Sequence, residues 1–145
     1  MQSTDVNYKA INDVYKNAHI ALLSISDLLP SVTDADLKDE LQAQYEGYEK
    51  IVGEISSYMA ENGMQPQNIG TVQKVMMRGS IKMKTVIDDS RNNIAEMMIK
   101  GTVNGITELA AMQNERQNFQ EKTADFIDRL LSLEEKYEQN LKKFL

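Results

Sequence analysis

Glu134 and Glu138, one helical turn apart, are the residues of this sequence best placed to do chemistry. Both continue the apolar line of Ile127, Leu131 and Leu141, so folding can carry one or both carboxylates inward. A buried carboxylate must find a partner or give up its charge through a raised pKa. With Glu96 or His19 beside it, such a group would make a residual metal site or a general acid. An all-carboxylate Mg²⁺ or Mn²⁺ site is chemically possible, although nothing in the spacing demands one. The plainer reading, and the one preferred, is a pair of stripe-edge charges that reach solvent or a lysine. His19 is the single histidine and there is no cysteine, so no ExxH motif or CxxC pair can be drawn, and no second clue argues for a Ser/His/acid arrangement. His19 lies between Tyr15 and Leu22 at the border of an apolar face. A lone histidine there reads as a boundary residue, because metal affinity requires convergent partners.

These residues sit on long helices. Tyr8, Ile11, Tyr15, Ala18, Leu22, Ile25 and Leu29 recur at steps of three and four, the helical period, with Val14, Ala21 and Leu28 alongside. Leu29-Pro30-Ser31 ends this helix, since the residue before a proline is pushed out of the α region. Thr33 is the expected N-cap of a second helix from about Asp34 to Asn62, and Asn62-Gly63 its expected C-cap. Residues 64 to 70, with Pro66 and Gly70, read as the linker. A shorter connecting helix is expected from Thr71 to about Asp88, then a fourth opened by Asp88-Asp89-Ser90. Asn118 with Glu121 suggests a capping box for the last helix. The order is hairpin, connecting segment, hairpin, over one domain spanning residues 1–145. That predicts an all-α, ferritin-like four-helix bundle of two antiparallel hairpins joined by a helical crossover.

Composition narrows the function classes. A hydrophobic share of 41% and a charged share of 26% describe an ordinary globular chain rather than a disordered one. The first residues carry no basic segment and no apolar core of a secretory signal, and no apolar run approaches the ~20 residues of a membrane span. The expected location is therefore the cytoplasm. A net charge of -6 opposes attraction to nucleic acid or anionic membrane. Lys74, Arg78 and Lys82 do form a basic stripe on the connecting helix, but no aromatic interleaves with it to stack on bases.

The stretches Gly79-Ser80-Ile81-Lys82-Met83-Lys84, Ile94-Ala95-Glu96-Met97-Met98-Ile99-Lys100-Gly101 and Gly105-Ile106 resemble small uncharacterised ferritin-like proteins of anaerobic Firmicutes. More loosely, the chain resembles the ferritin-like superfamily that includes spore coat F-type proteins. The resemblance covers most of residues 8 to 144 and implies a fold without an established activity. Within the chain, Tyr45-Glu46-Gly47-Tyr48-Glu49-Lys50 aligns with Glu134-Glu135-Lys136-Tyr137-Glu138-Gln139. By this resemblance Tyr45, Tyr48, Glu134 and Tyr137 occupy former metal-site positions, where di-iron relatives carry an ExxH on each of two helices. Counting back to the partner helices lands near Asn12 and Gly101. One carboxylate remains where the pattern needs four carboxylates and two imidazoles, so the di-iron site is expected to be absent.

Gly47, Gly53, Gly79, Gly101 and Gly105 fall inside expected helices, at up to about 1 kcal/mol each against alanine. Close helix packing at Gly79, Gly101 and Gly105 is the expected reason. Met76/Met77 and Met97/Met98 are adjacent pairs, and both members cannot face one narrow core. Together with the line Ile99, Val103, Ile106 and Ala110, they predict surplus apolar surface covered by a second copy in a homodimer. The reading is a non-enzymatic structural or protein-interaction module with no catalytic residues, cofactor, metal, membrane or nucleic-acid partner. The alternative is a carboxylate-rich metal-binding or storage protein.

Overall fold

A computed structural model describes residues 2–66 and 88–145, and among them every regular element is helical. Helix α1 spans Gln2–Leu28, α2 Ala35–Glu61, α3 Arg91–Gln113 and α4 Glu121–Lys142. One-turn 3₁₀ segments at Leu29–Ser31 and Arg116–Asn118 make the two short links. The expected connecting helix, with Gly79, Met76, Met77, Met83 and the Lys74/Arg78/Lys82 stripe, lies outside the described residues. No described helix is long and apolar enough to cross a membrane.

Local chemistry accounts for most of the boundaries. Pro30 converts the end of α1 to a 3₁₀ turn. Helix α2 closes at Gly63, whose φ of 69° is costly for any residue with a Cβ. There the Gly63 amide donates to the Ala60 carbonyl at 3.2 Å and the Met64 amide to Met59 at 2.8 Å, which is a Schellman closure. Two expected caps are corrected. Asp34, not Thr33, caps α2, with its carboxylate accepting from the Leu37 amide at 2.8 Å. Asn118 lies in the 3₁₀ turn and makes no capping box. The N-cap of α4 is Gln120, whose amide donates to Asn7 Oδ1 of α1 at 2.9 Å. That start depends on a residue 113 positions away, which a local motif cannot anticipate. Asp34→Ala is expected to cost about 1 kcal/mol in urea denaturation, whereas Thr33→Ala should cost almost nothing.

The helices pack around one core. Its fully buried members include Ile11 and Val14 of α1, Leu41 and Ile55 of α2, Leu109 of α3 and Leu130 of α4. On α1 the stripe is rotated from the expected one. Val14 and Leu28 lie at its centre, while Tyr15, Leu22 and Leu29 flank it, half-buried. Polar links place the helix ends. Asn7, Tyr58 and Gln120 meet at one end, and Asp34 pairs with Arg91 at 3.7 Å near the other, where Asn140 donates to Glu40. Helices α1 and α4 therefore run one way, and α2 and α3 the other. The chain must return from Glu61 to the opposite end to begin α3.

Candidate ligand pocket

On α4 the residues Ile127, Leu130, Glu134, Tyr137 and Leu141 follow the helical period, so burying the stripe also buries Glu134, leaving it 1% exposed. Tyr48 of α2, equally buried, hydrogen-bonds its carboxyl. The rings of Tyr48 and Tyr137 meet edge to face with centroids 5.3 Å apart. Tyr137 reaches in because Gly47 faces it, since a Cβ there would overlap the phenol oxygen. Burial, and secondarily the charge of Glu108, raises the pKa of Glu134 to about 8, against the opposing pull of the Tyr48 hydrogen bond. Glu134 is therefore mostly a neutral acid near pH 7. Burial, followed by Glu134 and Tyr137, also pushes the Tyr48 phenol well above its ordinary range.

Helices α1 and α3 supply the other side. Asn17 is 7% exposed; its amide group donates to the Gly105 carbonyl at 3.1 Å and to Glu108 at 3.5 Å. Gly105, lacking a side chain, lets two acceptors pack directly against its backbone. A Cβ there would lie 2.5 Å from Glu134 Oε1 and 3.2 Å from Asn17 Oδ1. The two oxygens thus converge on one point of α3, and neither has a hydrogen-bond partner among the described residues. Glu108 stands exposed at the rim. Partial desolvation, then nearby Asp13, hold its carboxyl above the ordinary range. These groups form the polar end of a pocket of about 410 Å³, whose walls include Ile20, Ala21, Leu28, Met97 and Met98. Its size and mixed lining are those of a small-molecule site.

The expected residues divide around this pocket. Tyr48 and Glu134 line it, and Tyr137 packs behind them. Tyr45 is half-buried against the core and takes no part in the lining. Asn12 is buried on α1 and donates to the Tyr8 carbonyl. Glu138, half-buried, pairs with Lys142 at 3.2 Å, and exposed Glu96 pairs with Lys100 at 3.1 Å. His19 lies half-buried with its ring edge-on to Tyr15 at 5.5 Å. Glu134 is thus not joined in the lining by Glu96, Glu138 or His19. Among the described residues no group of three or more His, Cys, Asp or Glu side chains is arranged to hold a metal ion. Gly105 does make a close approach, and the atoms nearest it belong to the side chains of Glu134 and Asn17. Gly101 meets no described atom within 4 Å.

Sequence reasoning missed Asn17, Glu108 and Gln44. Gln44, with no exposure, sits three residues after Leu41 and four before Tyr48, and donates to Glu40 at 2.8 Å. A polar residue in phase with an apolar stripe was the available signal for Gln44, and more weakly for Asn17 beside Val14, Ala18 and Ala21. Glu108 carried none. Comparison with protein-family models, curated proteins and solved structures found no match.

Proposed function

We propose that this chain is a non-enzymatic ferritin-like four-helix bundle that acts by binding, as a structural or protein-interaction module of the cytoplasm without a di-iron site. The observation that carries the reading is the interior at the level of Glu134. There the aromatic pair Tyr48 and Tyr137 occupies the space beside one buried carboxyl, Glu134, where a di-iron protein of this architecture directs carboxylates and imidazoles inward from four helices. The antiparallel hairpins and the end-to-end return between Glu61 and Arg91 support the one-crossover topology. Self-association as a homodimer belongs to the same proposal. Val103, 39% exposed on α3, lies on the apolar line expected at the contact. Light scattering that reports a monomer at high concentration would remove the dimer.

One observation favours the second reading, a carboxylate metal-binding protein. Glu108 and Glu134 line the same pocket. Thermal melts separate the two readings. Fe²⁺, Mn²⁺ or Zn²⁺ at micromolar concentration is expected to leave the melting temperature unchanged. A metal present at about 100 times its Kd would stabilise the fold by about 2.7 kcal/mol, so a clear upward shift would establish the second reading in place of the first.

A further inference from the structure

We propose that the pocket binds a small organic amine. Its ammonium head sits between Glu134 Oε1 and Asn17 Oδ1, and its apolar body runs along Ile20, Leu28 and Met97. This goes beyond the structural role proposed above and stands on different observations.

With Glu134 ionised, the polar end presents acceptors that lack donors. Glu134 and Asn17 are each more than nine-tenths buried, and the unpartnered oxygens of both converge in front of Gly105. Leaving such groups unpaired is costly, and one ammonium supplies three donors at a single point. The site is also electronegative, with Glu108 at its rim. Lys100, the one cation among the described lining residues, is paired with Glu96. A hard metal ion is a poorer match, because Ca²⁺ takes six to eight oxygens and this polar end offers two carboxyls and an amide against aliphatic and thioether walls. A neutral apolar molecule would leave both acceptors unsatisfied. The volume of about 410 Å³ accommodates a head together with a short hydrocarbon body.

Binding couples to protons. Glu134 faces Tyr48 from α2, Asn17 from α1, Glu108 from α3 and Tyr137 from its own helix. Its carboxyl is neutral in the empty pocket at neutral pH and must release its proton to pair with an ammonium. Amine affinity therefore rises about tenfold per pH unit up to about pH 8, where Glu134 ionises unaided, and then levels off.

The test is isothermal titration calorimetry of the full chain with n-hexylamine, n-hexanol and MgCl₂, using the wild type, Glu134→Gln and Gly105→Ala. Circular dichroism establishes that each variant is folded. Saturable 1:1 binding of hexylamine is expected, at least tenfold tighter than hexanol. It should weaken at least tenfold in Glu134→Gln and in Gly105→Ala, whose methyl group would displace the Glu134 oxygen that receives the head. Glu134→Gln, which keeps the side-chain shape, decides the matter should Gly105→Ala fail to fold. Hexanol binding as tightly as hexylamine would overturn the proposal in favour of a purely apolar cavity. Saturation by Mg²⁺ without hexylamine binding would overturn it in favour of an inorganic cation site. It would equally fall if hexylamine did not bind, or bound Glu134→Gln and wild type alike.

Discussion

Replacing Glu134 by glutamine is expected to stabilise the protein, by an amount that grows with pH. The folded chain holds the Glu134 proton to about pH 8, whereas an unfolded glutamate releases it near 4.5. Between those values the native state binds more protons than the unfolded state, so stability falls as pH rises. The contribution is fully present below about 4.5 and fully lost above about 8. At about 1.4 kcal/mol per pKa unit, the loss across the window is on the order of 5 kcal/mol. Glutamine removes the titration while preserving the shape, and its amide can face the unpartnered Asn17 oxygen. The two proteins should melt within a degree or two of each other at pH 4.5. At pH 9 the variant should melt roughly 10 °C or more above the wild type. Parallel melting curves at every pH would show that Glu134 is not held neutral in the fold. Comparing the two proteins cancels the titration of carboxylates shared by both.

The second large effect is a pair of identical substitutions on α2 with opposite signs. Alanine at either Gly47 or Gly53 gains up to about 1 kcal/mol of helix propensity. At Gly53 the new methyl meets nothing within 4 Å among the described residues, so Gly53→Ala should stabilise by nearly that amount. At Gly47 the methyl would overlap the phenol of Tyr137, a ring confined by its contact with Tyr48. Overpacking of this kind costs about 1 to 3 kcal/mol. Gly47→Ala should therefore be net destabilising, and Tyr137→Phe in the same background should recover part of the loss by deleting the overlapping oxygen. Urea midpoints for the single and double variants check this. A stabilising Gly47→Ala would mean that Tyr137 does not enter the interior as described.

The four described helices are legible in the amino-acid sequence, because the terms that decide them are local. Recurrence at three and four residues marks the buried stripes, Pro30 stops α1, and Gly63 supplies the positive φ that closes α2. The sequence also marked Glu134 as a carboxylate in phase with an apolar stripe. Tertiary structure decided the rest, because each remaining question concerns two helices at once. Glu134 and Glu138 read alike on one helix, yet only Glu134 meets Tyr48, while Glu138 pairs with Lys142. Asn17 and Glu108 join the pocket only because α1 passes α3 at Gly105, where the absent side chain leaves room for two oxygens to converge. The start of α4 likewise depends on Asn7, at the far end of the chain. Helical periodicity states which face of a helix is buried. It does not state which residue of another helix stands opposite, and for a buried carboxyl that neighbour decides whether the group is charged, neutral or ready to receive a ligand.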